Sequence, residues 1–148
     1  QEDDITYTTV NGSANVEYSA PMTWNINRDA GSNSSMVNNG VDTSVIVFAI
    51  DGNYRIEDAL NSMLKDYSKK SKNYKLIKPA SYTAVGSKKG YRAVFSYEDN
   101  QGLAYIMDIF ICNDGNNCVQ CMLDTPIEYY GAKNIKIFET VIDSVNVK

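Results

Sequence analysis

Between Leu103 and Thr125 the chain carries an apolar run, Tyr105-Ile-Met-Asp-Ile-Phe-Ile-Cys112, a turn, Asn113-Asp-Gly-Asn-Asn117, and a second run, Cys118-Val-Gln-Cys-Met-Leu123. Two β-rich runs joined by a short Asp-Gly turn predict a hairpin. So apolar a hairpin belongs at the centre of a sheet, and all three cysteines fall inside it. Whatever else the chain forms has to be arranged around this pair of strands.

Polarity argues the register, because a one-residue slip exchanges the two faces of a strand. Pairing Asn113 with Asn117 across a three-residue turn sets Cys112 opposite Cys118, Ile111 opposite Val119, Ile109 opposite Cys121 and Met107 opposite Leu123. One face is then wholly apolar, and the other gathers Asp108, Gln120 and Asp124 beside Ile106, Phe110 and Met122. An odd-length turn is therefore expected. It brings the Cα atoms of Cys112 and Cys118 to about 4.5 Å, within disulfide range. A Cys112–Cys118 bridge is expected if the chain is exported, contributing about 2 kcal/mol by closing so small a loop. Cys121 points into the apolar face as a buried small hydrophobe.

Cys118-Val-Gln-Cys121 also has the spacing of redox and zinc pairs. Those pairs sit at helix starts or tight turns, whereas residues three apart on a strand point to opposite faces. The chain contains no histidine, which removes the commonest zinc ligand and general base. No metal site and no cofactor is expected, and Ser-His and Cys-His nucleophiles are excluded. Carboxylates are the acid–base candidates that remain. The expected register puts Asp108 and Asp124 on one face, so a hydrolase built on that pair is the alternative to a non-enzymatic reading.

The flanking chain alternates short strands with two helical stretches. Ile5–Val10 and Asn15–Ala20 read as strands, and Pro21-Met-Thr-Trp24 ends the second, with Trp24 closing the edge of the core. Asn, Ser, Gly and Asp dominate residues 25–43, which reads as a long surface loop suited to recognition. Ser44–Ile50 is apolar throughout, as expected of a strand covered on both faces. Ile56, Leu60, Met63, Leu64 and Tyr67 recur at helical spacing. They predict a helix over about 53–70, with Asp51 or Asn53 as cap and charges that suit its dipole. Tyr74–Pro79, Ser81–Val85 and Tyr91–Tyr97 read as strands. Thr125-Pro126 reads as a helix cap followed by proline at the first helical position. A closing helix over about 132–143 carries Ile135, Phe138, Val141 and Ile142. Tyr129-Tyr130 beside Gly131 is the one adjacent aromatic pair placed to floor a ligand groove, and Trp24, Tyr129 and Tyr130 are the candidate ligand contacts.

The length, 148 residues, fits one domain spanning 1–148. Fourteen basic against eighteen acidic residues argue against nucleic acid or an anionic membrane as partner, since both need clustered positive charge. The only basic concentration, Lys65–Lys78, reads as the solvated end of a helix and its turn. No apolar run approaches the ~20 residues that span a bilayer. The acidic start Gln1-Glu-Asp-Asp4, without methionine, reads as a flexible beginning left by export processing. The expected setting is extracytoplasmic or secreted, as a monomer or weak dimer.

In order, the chain presents two short strands, the segment Tyr18-Ser-Ala-Pro-Met-Thr-Trp24, the strand Val45-Ile-Val-Phe48, a helix and further antiparallel strands including Ala93-Val-Phe-Ser-Tyr97. Ile142-Asp-Ser144 follows a closing helix. From Val16 to Val147 this resembles the PsbP-like superfamily, which includes the photosystem subunit PsbP, Ran-binding Mog proteins and bacterial envelope lipoproteins. The resemblance implies an α+β fold, an α/β/α sandwich around a mostly antiparallel, twisted sheet. It also implies a binding or assembly role without catalytic residues, toward a protein or small ligand of the envelope, and a chain secreted or lipid-anchored to the bacterial envelope, an anchor upstream of residue 1 being one account of the acidic start. A structural assembly subunit is a further alternative. The cysteine-bearing hairpin and the Asn/Ser-rich loop depart from the pattern.

Overall fold

The computed structural model describes residues 4–12, 16–27 and 34–148. The start expected to be flexible lies mostly outside the described residues, which begin at Asp4. Strands β1 (Tyr7–Asn11), β2 (Val16–Pro21), β3 (Asn25–Asn27), β4 (Ser34–Asn38) and β5 (Ser44–Asp51) lead to helix α1 (Ile56–Lys70). Then come β6 (Lys72–Val85), β7 (Lys88–Glu98), β8 (Ala104–Asp114), β9 (Asn117–Pro126), helix α2 (Ala132–Ser144) and β10 (Asn146–Val147). The main sheet runs β3-β4-β5-β9-β8-β7-β6 and every pairing in it is antiparallel, while β1, β2 and β10 form a small second sheet. The hairpin β8–β9 stands in the middle, as its apolar composition demands.

Each face of the main sheet has its own core. On one side Leu60 and Leu64 of α1 pack with Phe95, Ile109, Ile111, Cys118 and Met122. On the other, Phe138, Val141 and Ile142 of α2 and Val10, Val16 and Tyr18 of the small sheet pack with Val45, Val47, Phe110, Cys121 and Leu123. The layers are thus α1, sheet, then α2 with the small sheet: an α+β sandwich. Neither Asp51 nor Asn53 caps α1. Arg55 occupies the N-cap without a side-chain bond, and Glu57 and Asp58 in the first turn meet the exposed amides electrostatically. Strand β6 passes through Pro79 as one element, with register shifts on either side of Lys78; a proline is tolerated because β6 is an edge.

The hairpin register differs from expectation by one residue. Asp114 pairs with Asn117 across a two-residue turn, Cys112 with Val119, Asn113 with Cys118, and Asp108 with Leu123. Gly115 takes φ +62° there, the conformation that such tight turns require. Every side chain of β9 is consequently on the opposite face from the one expected. Cys112 and Cys121 face α2, Cys118 faces α1, and all three cysteines are free and buried. The expected Cys112–Cys118 bridge is therefore ruled out by register. Burial pushes the Cys112 thiol up to about 12 and raises those of Cys118 and Cys121, so these are unreactive packing groups. The same slip separates Asp108 from Asp124, which lie on opposite faces of the sheet. A hydrolase using the two together has no geometric basis.

The 25–43 segment is not a loop throughout. It supplies β3 and β4, and Ser34, Ser35 and Val37 are buried. Ser35 is held by the Tyr18 hydroxyl at 2.6 Å. Polar composition concealed these strands because their buried serines are bonded internally. Thr125-Pro126 closes β9 instead of capping a helix: Thr125 is buried against Thr43, Oγ1 to Oγ1 at 2.7 Å, and a single 3-10 turn, Ile127–Tyr129, follows.

Candidate functional site

Three connections meet at one end of the main sheet: the β4–β5 turn, the β7–β8 turn, and the passage from β9 into α2. In the first, Asn39 Oδ1 accepts from the N–H groups of Val41, Asp42 and Thr43 at 2.9, 3.0 and 3.1 Å. Asn38 Oδ1 accepts from Gly40 N–H at 2.9 Å, and Gly40 sits at φ +82°. In the second, Asp99 Oδ1 accepts from Gln101 and Leu103 N–H, both at 2.9 Å. These are self-bonded turns of the kind Asn and Asp favour. Their rigidity holds apolar side chains in water: Val41 is 86% exposed and Leu103 57%. Ile127, at 50%, and Tyr129, at 52%, follow beside them on the third connection. Apolar groups clustered on turns fixed by their own hydrogen bonds are surface that folding does not use.

Between the first two turns lies an open depression of about 550 Å³, lined by Met36, Asp42, Thr43, Tyr97, Asp99, Tyr105 and Asp124 among others. Tyr97 and Tyr105 are cross-strand partners with centroids 5.8 Å apart and planes at 28°, a stacked floor. The Tyr97 hydroxyl donates to Asp124 Oδ1 at 2.6 Å. Asp42 and Asp99 stand with Asp124 in the lining, which includes no Lys or Arg. A second depression of about 430 Å³ shares Val41, Asp42 and Thr43 with the first and is bounded by Tyr129, Lys133 and Asn134.

Burial holds the Asp124 carboxyl above its ordinary range, with the Tyr97 hydrogen bond working the other way. A carboxyl that binds its proton more readily folded than unfolded weakens the fold at pH values above its folded pKa. That cost disappears once the pH drops below the unfolded pKa. Asp124→Asn keeps an oxygen to accept from Tyr97 and removes the charge. It is expected to raise the urea midpoint near neutral pH and to lose this advantage near pH 3; a lower midpoint at neutral pH would count against the assignment.

On the opposite face Asp108 is fully buried and bonded through both oxygens. Arg92 Nε reaches Oδ1 at 2.9 Å, while Arg92 Nη2 and the Tyr130 hydroxyl each reach Oδ2 at 2.8 Å. Arg92 Nη1 also meets Glu139 Oε2 at 2.6 Å. Burial opposes the arginine's charge, but Asp108 and then Glu139 outweigh it and hold the guanidinium above its usual range. The candidate ligand contacts do not converge. Trp24 and Tyr130 are partly buried against the α2-side core, Tyr130 being tied to Asp108 and bordering a cleft on the α2 face, whereas Tyr129 lines the depression at the sheet end. Reading residue types missed Tyr97, Tyr105, Asp42 and Asp99. One signal was present: Tyr97 and Tyr105 flank the turn-rich segment Glu98–Gly102, whose closure between Asp99 and Leu103 makes them a cross-strand pair.

No family model and no curated protein sequence matches the chain. Solved structures do. A Bacteroides thetaiotaomicron protein is 20% identical with a TM-score of 0.68 over 95% of this chain; the chain spans 48% of that protein, about half its length. Cyanobacterial PsbP (CyanoP) from Synechocystis is 14% identical, TM-score 0.65, over 99% of this chain and 95% of its own. The Saccharomyces cerevisiae Ran-binding protein Mog1p is 8% identical, TM-score 0.64, over 97% and 96%. LpqN of Mycobacterium tuberculosis, involved in cell envelope biogenesis, is 14% identical, TM-score 0.53, over 97% and 92%. The fold is the PsbP/Mog type, in agreement with the resemblance read from the sequence.

Proposed function

We propose that the chain is a non-enzymatic binding module whose docking surface is the sheet end framed by Val41, Leu103 and Ile127. The observation that carries this reading is the pairing of rigidly displayed apolar side chains with an acidic, tyrosine-floored depression. Its chemistry selects the occupant: a segment of a partner protein with a Lys or Arg beside aliphatic residues. The cation meets Asp42, Asp99 and Asp124 and the faces of Tyr97 and Tyr105, and the aliphatic groups cover Val41 and Leu103. The structural neighbours support the class of role, one being a Ran-binding protein and another being involved in cell envelope biogenesis. The latter also supports an extracytoplasmic, envelope setting for this chain, and no helix among the described residues is long and apolar enough to cross a membrane.

Selection of a random 12-residue displayed peptide library on the immobilised chain tests the proposal. Enriched peptides are expected to carry a basic residue flanked by aliphatic ones, and Asp99→Asn or Val41→Ser is expected to weaken the best of them about tenfold. Enrichment of acidic or purely polar peptides, or affinities indifferent to both substitutions, would overturn the assignment.

A further inference from the structure

We propose that a second cleft, on the α2 face between edge strand β6 and α2, is a binding site for a small anionic oxygen group, a carboxylate or a phosphate. Its volume is about 250 Å³, and Lys78, Ser81, Thr83, Arg92, Tyr130 and Glu139 line it. The site is independent of the docking surface, which lies at the end of the sheet.

The argument begins with what holds Arg92. Asp108 grips it through Nε and Nη2, Tyr130 supports Asp108 from the other side, and the Phe138 ring lies 5.5 Å from the guanidinium carbon. That assembly is complete without Glu139. A guanidinium has five N–H donors; three are used, on Nε, Nη1 and Nη2, which leaves two. Arg92 is thus a cation fixed in place before any ligand arrives, the condition under which an anion is bound with least ordering cost. Facing it, strand β6 contributes Lys78, Ser81 and Thr83, with Ser81 paired directly to Arg92 and Lys78 to Val94. Among the described residues the hydroxyls of Ser81 and Thr83 make no hydrogen bond, and Lys78 makes no ion pair. The irregular register around Lys78 is the kind of feature that re-aims side chains beside binding sites.

Glu139 completes the picture. Its side chain is 44% exposed, against 0% for Asp108, and it meets Arg92 through a single nitrogen. It therefore stands where an external carboxylate or phosphate would stand, and it is the one member of the network free to turn into solvent. With Glu139 turned away, Arg92, Lys78 and Asp108 carry a net charge of +1, so an anion replaces Glu139 charge for charge.

The test uses inorganic phosphate and acetate, titrated separately into the intact chain while the Arg92 Nε–H resonance is followed by NMR. In Glu139→Gln, which removes the internal competitor, phosphate is expected to bind saturably and about tenfold more tightly than in the unsubstituted chain. Lys78→Met added to Glu139→Gln is expected to reverse the gain, and Thr83→Val to weaken it, with the fold retained in each variant because Lys78 is exposed, Thr83 and Glu139 are only partly buried, and Arg92 keeps its two-pronged bond to Asp108. Stronger binding of acetate than of phosphate selects a carboxylate as the natural group, and the reverse a phosphate. The absence of a saturable shift in Glu139→Gln overturns the site, as does binding that ignores both Lys78→Met and Thr83→Val.

Discussion

Asp108→Ala is expected to destabilise the fold by about 3–5 kcal/mol, read as a fall in the urea midpoint with an unchanged slope. The substitution strips Arg92 of its two-pronged partner while its side chain remains only 17% exposed, and it leaves the Tyr130 hydroxyl without an acceptor. An uncompensated charge on the α2 side of the core is the penalty, and Glu139 offsets only part of it, through one nitrogen. Against a total of about 5–15 kcal/mol for a domain of this kind, the loss is a large share of the stability. Replacing both partners by apolar groups, Asp108→Leu with Arg92→Met, is expected to recover most of the loss, because neither charge is then left alone. A single substitution costing under about 1 kcal/mol would mean that water reaches the guanidinium, contrary to its burial.

Asp108 also explains where sequence reading stopped. Helical spacing located both helices to within three residues at their ends, since Leu60 and Leu64, and Phe138, Val141 and Ile142, recur on single faces and are buried. The apolar run of the central hairpin likewise placed it in the middle of the sheet. The observed register departs from the expected one because polarity in a sequence does not separate an exposed charge from a buried, paired one. Grouping Asp108, Gln120 and Asp124 on one face treats all three as solvent-facing, yet Asp108 is neutralised inside the core by an arginine sixteen residues before it. A buried charge with a distant partner has the same local signature as a surface charge. The disulfide and the carboxylate pair were both derived from that register, so both fall with it, and the cysteines carry no information about compartment. The candidate docking surface was legible only in part. Asn39-Gly40 and Glu98–Gly102 are rich in turn-forming residue types, but nothing local says that they meet Asp124 and Tyr129 at one end of the sheet. That depends on strand order, with β5 and β9 neighbours across a stretch of some seventy residues.

Gly90→Ala is expected to be nearly as damaging, about 3 kcal/mol, for a reason that no charge or hydrophobicity scale registers. A methyl group at Gly90 would fall on the carbonyl oxygen of Ile111, with the Cys112 side chain beside it. Both belong to β8, whose backbone is fixed on two sides by pairing to β7 and β9. A flexible side chain could step away from the new group; a central strand in a seven-stranded sheet cannot without breaking its ladder, which places the cost at the upper end of overpacking penalties. Two other glycines separate this steric effect from glycine's conformational freedom. Gly102 stands at φ +80° with nothing within 4 Å of an added carbon, so Gly102→Ala carries only backbone strain, about 1 kcal/mol. Gly131 is extended at φ −136° and equally open, but it is the N-cap of α2, where alanine is a poorer cap than glycine, so Gly131→Ala is expected to cost about 0.5 kcal/mol. Urea denaturation of the three variants should therefore rank them Gly90, Gly102, Gly131 in order of loss. If Gly90→Ala proved no worse than Gly102→Ala, β7 would have to stand farther from β8 than the close approach at Ile111 requires.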